Sequence, residues 1–477
     1  MPPLPDVDVQ FAEFALGLTE PADHAQAIVG TAASGTNNLV VPINDLATLR
    51  STFGSGPLVE AAAHALVVAG GPVYCVRVSA TNAGTNGTVT RTGTGPDPGA
   101  SRTGNPLDDY EVQVKIVTGG TVGNATFRVS FDGGDNFSEE YVTAATVATW
   151  AAETGLTLTF AAGTYVANDV YSWTSIGPKF SSSDLATALD NLNASAYSFE
   201  WVHVCGTVGG ADDATKVSNF AALAAAVDTK MTAWATSYRF AFAVLQVPGV
   251  ADAALNVSAV TNFSSSRQMW VAGDVEMISA VTSRSIRRNA SLSVCARMAA
   301  VDLQRSPACP EDGTLRGIVR LYRDERVTPG LDNLRITTLR TFDNAFAGYY
   351  VTNGRMMATA GSDFTFVQAR RVMDRAGSVA RQSLIPLINA DLFVSAETGF
   401  IDERDAAAID ARVQRTLETD LVAPGRASAV RVQVRRDDNI LSTQTLRVRI
   451  RVIPKSYARF ITLDLGFENP ALAAASL

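Results

Sequence analysis

Histidine and cysteine are scarce in this 477-residue chain, with three of the first and four of the second. His24, His64 and His203 stand far apart and form no H-E-x-x-H pair, which removes the usual helical zinc-hydrolase signature. Cys75, Cys205, Cys295 and Cys309 form no C-x-x-C pair. They read as free thiols of a reducing compartment rather than as disulfides or metal ligands. No G-x-x-x-x-G-K-[ST] loop is present to cradle phosphate, no G-x-G-x-x-G follows a strand, and no G-x-S-x-G elbow supports a serine nucleophile. No apolar run approaches the ~18 residues that cross a bilayer. The opening Met1-Pro2-Pro3-Leu4-Pro5-Asp6 has neither the basic nor the apolar region of a secretory leader, so export by that route is not expected. Positive charge is not in excess either. Lys and Arg total 39 against 47 Asp and Glu, a net charge of −8, which implies no nucleic-acid partner. Neither a cofactor nor a metal is expected.

What is present is an ordinary globular composition, 47% hydrophobic and 18% charged, in a chain long enough for two to four domains. Residues 1–24 read as an extended arm: Val7, Val9 and Phe11 alternate with Asp8 and Gln10, and Asp6, Asp8, Glu13 and Glu20 are the charged residues of its first twenty. Residues 25–80 read as α/β, with a strand at Ala27–Thr31, helices at Asp45–Phe53 and Pro57–Ala69, and a buried strand at Val73–Val78. The α/β pattern resumes over 181–350, with a capped helix at Asp184–Leu192, an Ala-rich helix at Lys216–Val227, and strands at Trp201–Val204, Arg239–Gln246 and Met269–Ala272. A helix is also expected at Ala253–Asn262. These two stretches are expected to form one three-layer α/β core.

Residues 81–180 interrupt that core and change character. Thr, Gly, Asn and Val dominate, and Tyr110–Val117 and Ala125–Phe131 alternate like strands between turn sequences. This is expected to be a β-rich outer insertion, large enough to fold by itself. Asp132-Gly133-Gly134-Asp135-Asn136 has a weak likeness to a cation loop, but lacks the spacing and closing Glu of an EF-hand. A hairpin turn is the better reading.

The C-terminal third is the most informative. Val367–Leu384 reads as a helix bearing Arg370, Arg371, Arg375 and Arg381, and Asp402–Leu421 as a second helix with an acidic first turn suited to the helix dipole. Val430, Val432 and Val434 then alternate with Arg431, Gln433 and Arg435. Leu446, Val448, Ile450 and Val452 alternate with Arg447, Arg449 and Arg451. The pattern predicts a β-hairpin with one apolar and one basic face. A last alternation, Tyr457, Ile461, Leu463, Leu465 and Phe467, reads as a strand that must pair somewhere. The domain reading is therefore 351–455 as an α+β domain and 456–477 as a C-terminal arm.

The ordered combination of elements resembles contractile-tail sheath proteins. It runs from the arm through Val40-Val41-Pro42-Ile43, then Thr52-Phe53-Gly54-Ser55-Gly56-Pro57-Leu58, to Gly70-Gly71-Pro72-Val73-Tyr74-Cys75-Val76-Arg77-Val78. At the other end are the paired-Arg helix, Val367-Gln368-Ala369-Arg370-Arg371, the acidic-start helix, the hairpin, and Phe460-Ile461-Thr462-Leu463-Asp464-Leu465. The likeness covers both ends, about half the chain, and leaves 81–180 unmatched. It implies a sheath subunit of a bacteriophage tail or a bacterial contractile injection system, with a subtilisin-like but non-enzymatic core. Such subunits stack as hexameric rings in a helical homopolymer around an inner tail tube, beside baseplate and tail terminator proteins. They contract to drive the tube through a cell envelope. The implied location is the virion tail, assembled in the host bacterial cytoplasm, with no membrane insertion.

On this reading Val7, Val9 and Phe11 exchange as a strand with a neighbour's hairpin (Val430, Val432, Val434, Val448, Ile450), and Ile461, Leu463 and Leu465 pair in another copy. Asp6 and Asp8 would face Arg431, Arg447 or Arg449, while Arg370, Arg371 and Arg375 would contact the tube. The rival readings are a hydrolase on the α/β core and a carbohydrate-binding or adhesin virion subunit.

Overall fold

The computed structural model describes residues 24–206, 208–343 and 346–467. The chain divides into two compact units, one ending at Ile388 and the other beginning at Asn389. In chain order the first unit carries β1 (Gln26–Gly30), β2 (Val40–Ile43), α1 (Leu46–Phe53), α2 (Pro57–Ala69) and β3 (Val73–Arg77). The insertion adds β4 (Tyr110–Thr118), β5 (Thr126–Ser130) and β6 (Val170–Ile176). There follow α3 (Ser182–Ala194), β7 (Trp201–Cys205), α4 (Asp213–Thr236), β8 (Phe242–Gln246), β9 (Gln268–Val271), β10 (Asp274–Ile278), β11 (Ser285–Asn289), α5 (Ser291–Ala300), β12 (Ile318–Leu321) and α6 (Val367–Leu384). The second unit is built on α7 (Glu403–Leu417), β13 (Ala429–Val434) and β14 (Val448–Ile453).

The core sheet has the order β9-β8-β7-β1-β3-β2, and every pairing is parallel except that of β2 with β3. Its strands are apolar runs because both faces are covered. Ile28, Trp201, Phe242, Val244 and Met269 point to a layer closed by Leu58 and Val59 of α2 and Val294 and Met298 of α5. Ala27, Val29, Val202, Val204 and Leu245 point the other way, against Leu185 and Leu189 of α3 and Phe220 and Leu223 of α4. Local signals start the helices as read. Asp45 accepts from the backbone of Thr48, and Ser181 and Asp184 form a capping box on α3. The expected helix at Ala253–Asn262 is instead a 3-10 turn at Asp252–Leu255 and a single turn at Ser258–Thr261. The β10–β12 sheet was not foreseen; its order is β11-β10-β12.

The insertion folds around its own core, in which Val112, Val114 and Ile116 of β4 meet Phe127, Trp150 and Trp173. The turn after β5 satisfies itself. The Asp132 carboxylate accepts from Ser130 Oγ at 2.6 Å, Asn136 N at 2.9 Å and Asn136 Nδ2 at 2.8 Å. Four ion pairs fasten the insertion to the β10–β12 region, and in each the insertion supplies the acid. They are Asp108–Arg288, Glu111–Arg287, Asp135–Arg320 and Glu153–Arg284. The first is the least exposed of the four, with Asp108 buried and Arg288 11% exposed. Burial pushes the Asp108 carboxyl above the usual range, and Arg288 opposes that shift.

Arg288→Met therefore leaves Asp108 buried without its cation, and is expected to cost about 3–5 kcal/mol of stability. Arg287→Ala breaks two pairs of an exposed arginine, with Glu111 at 3.5 Å and Asp274 at 3.0 Å, and should cost about 0.2–1 kcal/mol for each. Chemical denaturation of the two variants checks the contrast; equal effects would refute the assignment of Asp108–Arg288 as the principal fastening.

Candidate functional site

The second unit holds the arrangement with the clearest capacity to bind. The α7 helix begins at an Asp402 cap, whose side chain accepts from the backbone of Arg404. Its apolar stripe of Ala406, Ile409, Val413 and Leu417 is buried, and it packs on the hairpin face that carries Val430 and Val434. A π-turn carries the chain to Val422, and Gly425, at φ 76°, reverses it. The hairpin then forms as read, with Val430 opposite Val452, Val432 opposite Ile450 and Val434 opposite Val448.

A two-stranded ribbon has two outer edges, and here they differ. On β13, Val432 N donates to Gln414 Oε1 at 2.8 Å and Val434 N to Asp410 Oδ1 at 2.6 Å. Gln414 Nε2 in turn donates to Val430 O at 2.7 Å. Side chains of α7 thus occupy the hydrogen-bonding groups that another strand would need. On β14 no strand lies along the outer edge among the described residues. Arg435 N donates to Arg447 O, so in this antiparallel ladder the odd-numbered residues of β14 face their partner strand. The N–H and C=O groups of Val448, Ile450 and Val452 therefore point outward, beside their half-buried side chains.

The basic face is also unbalanced. Arg431 stands directly opposite Arg451, and Gln433 opposite Arg449. Like charges in direct opposition weaken a ribbon. Arg447 has Asp438 at 3.5 Å. Among the described residues no carboxylate pairs with Arg431, Arg449 or Arg451, all of which are exposed. After β14 the chain runs on without secondary structure. Phe460 is 96% exposed, and Ile461, Leu463, Leu465 and Phe467 are similarly uncovered. The expected terminal strand has no partner strand among the described residues. Val7, Val9, Phe11, Asp6 and Asp8 lie outside the described residues.

The arginine helix requires a correction. Arg370, Arg371 and Arg375 do not form one exposed face, and α6 packs within the first unit. Arg371 is 1% exposed; its Nη2 lies 2.8 Å from Glu200 Oε2, and its guanidinium stacks over Trp201 with 5.3 Å from Cζ to the ring centroid. Arg370 reaches Asp374 one turn along the helix, and Asp374 also takes Arg267 at 3.2 Å. A charge carried into the interior requires a partner there, and these two have one. Arg375 is half-buried and Arg381 exposed.

His203 Nε2 lies 3.0 Å from Ser291 Oγ, but both residues are sealed, and the neighbour of Nδ1 is Cys205 Sγ at 3.5 Å rather than a carboxylate. Burial lowers the His203 pKa to about 3 and that of His64 to about 4, so both are neutral at physiological pH. Cys75, Cys205 and Cys295 are buried free thiols and Cys309 is partly exposed. Among the described residues no three His, Cys, Asp or Glu side chains are placed to hold a metal, and no helix is long and apolar enough to cross a membrane.

The fold is shared with solved structures of low sequence identity. A chain of the anti-feeding prophage (AFP) baseplate superposes with a TM-score of 0.52 at 11% identity, covering 98% of this chain and all of that one. A chain of the PVC sheath complex, from an extracellular contractile injection system in its contracted state, gives 0.52 at 11% identity over 98% of both chains. The sheath tail protein of Desulfitobacterium hafniense gives 0.47 at 11% identity, over 94% of this chain and all of that one. No curated protein matches the sequence. The chain belongs to the DUF2586 family: residues 4–355 match its N-terminal domain and residues 363–472 its C-terminal domain.

The two arginine populations separate by stability. Arg371→Ala strands Glu200 in the interior and should cost about 3–5 kcal/mol. Arg431→Ala and Arg449→Ala should leave the melting temperature unchanged or raise it slightly, because each relieves a crowded basic face. Thermal melts of the three variants test this, and a neutral Arg371→Ala would return that residue to the surface.

Proposed function

We propose that this chain is the sheath subunit of a contractile tail or injection apparatus, and that copies join by exchanging strands. One observation carries the reading: an open, apolar strand edge at Val448–Val452 sits on the same unit as an alternating apolar segment, Ile461–Phe467, that is bare of any cover. An edge offers backbone hydrogen bonds and alternate side-chain pockets to an incoming strand. Left unpaired, such an edge is an aggregation hazard that folds normally blunt. The neighbouring relation is head-to-tail, so each copy links to further copies, in a ring where the rotation closes and in a helix where it does not. The AFP and PVC likenesses support the same reading.

In this scheme Val7–Phe11 of one copy adds along β14 of another, and Asp6 and Asp8 approach the unpaired Arg431 and Arg449. The segment at Ile461, Leu463 and Leu465 enters a different copy. Charge sets register, while backbone bonds and the Val7, Val9 and Phe11 side chains supply most of the affinity. Arms linked in this way let subunits rotate and slide during contraction without separating. Stacked hexameric rings around an inner tube, next to baseplate and terminator proteins, complete the proposal, as does residence in a virion tail. A tube-facing role does not extend to Arg370 and Arg371, which are engaged inside the unit.

Ile450→Pro removes an outward N–H without touching the ladder to β13. It should leave a folded, soluble subunit that forms no tubes in negative-stain micrographs, and deletion of 456–477 should do the same. Tubes of normal length from both variants, or uniform small particles from the unaltered chain, would overturn the proposal.

A further inference from the structure

A second charged surface lies in the first unit, at the end of the core sheet where the strands begin. A groove of about 550 Å³ runs between α6, the segment from Asn193 to Glu200 and the turn at Tyr238–Phe240. Four arginines line it, Arg239, Arg371, Arg375 and Arg381, against two acids, Glu200 and Asp374. Among the described residues Arg239 donates to backbone carbonyls, those of Asn193, Ser195 and Tyr197, and it stacks on Phe199 with 4.7 Å from Cζ to the ring centroid. Arg381 lies over Tyr238 at 4.3 Å and has no carboxylate among the described residues. Arg371 satisfies Nε and Nη2 on Glu200, but its Nη1 is buried without an acceptor, although the side chain is wholly inside. A buried guanidinium N–H of this kind is costly unless something completes it.

The groove is therefore a site for an acidic extended segment, and the chain supplies one at its mouth. Glu200 N donates to Ala25 O, so the described chain begins one hydrogen bond from the Glu200–Arg371 pair. Residues 1–23 contain Asp6, Asp8, Glu13, Glu20 and Asp23 and no Lys or Arg. Ten extended residues span up to ~35 Å, whereas the helix from Arg371 to Arg381 is only ~15 Å long. We propose that residues 12–23 lie along this groove of their own subunit, with Glu13, Glu20 or Asp23 meeting Arg371, Arg375 and Arg381. The base of the arm is then clamped in cis, and only its outer part remains to reach a neighbour. This goes beyond strand exchange and does not depend on it, because the clamp forms in a lone subunit.

Hydrogen exchange of the full-length chain, followed by mass spectrometry at a concentration that keeps it monomeric, tests the clamp. Amides within residues 12–23 should exchange at least tenfold more slowly than an unstructured reference peptide of the same sequence. Arg375→Glu/Arg381→Glu should remove most of that protection. Adding Glu13→Arg/Glu20→Arg to that variant should restore a measurable part of it. Reference-rate exchange in the unaltered chain overturns the proposal. So does protection that survives the arginine reversal, or that is lost without recovery in the charge swap. Protection that rises with protein concentration overturns it too, since it assigns the groove to a second copy's arm.

Discussion

An antiparallel ribbon of two strands has two edges, and Gln414 and Asp410 close only one of them. The residues that close it sit one helical turn apart on α7, so the same helix buries the hairpin's apolar face and caps its inner edge. That leaves β14 with three outward backbone positions and an apolar side-chain row beside them. Two strands alone are marginal in water. The unit is held by its helix, and a further strand would add hydrogen bonds without displacing any. The asymmetry gives the unit a direction, since a strand can be added on one side only.

Charge is divided between interior and surface by rules that sequence alone does not display. Arg288, Arg370 and Arg371 go inside because Asp108, Asp374 and Glu200 meet them there. Arg431, Arg449 and Arg451 stay outside without acids among the described residues, two of them in direct opposition across the ladder. The first group holds the subunit together. The second repels itself, and an acidic strand laid beside it would relieve that repulsion.

The core strands were legible because parallel strands covered on both faces are continuous apolar runs, and Pro57–Ala69 and Val367–Leu384 because periodicity and flanking residues agree on their limits. The hairpin was legible from strict alternation, although its second strand begins at Val448 rather than Leu446. The β10–β12 sheet was not. Its strands are short, Arg287, Arg288 and Arg320 stand among their apolar residues, and a register shift at Glu276–Met277 breaks the alternation. The inward turn of Arg371 was hidden for a different reason: its partner lies 171 residues away, and only the packing of α6 on the start of β7 brings them together. Arg370 with Asp374 is a spacing of four on one helix, and that pair was open to reading.

The central claim is that the outer edge of β14 is where one copy receives another. Residue-level hydrogen exchange on assembled particles and on dilute monomer tests it directly. In the monomer the amides of Arg449 and Arg451, which face β13, should be protected, and those of Val448, Ile450 and Val452 should exchange freely. In the assembly all five should be protected. An assembled particle in which Val448, Ile450 and Val452 still exchange at the monomer rate would contradict the account.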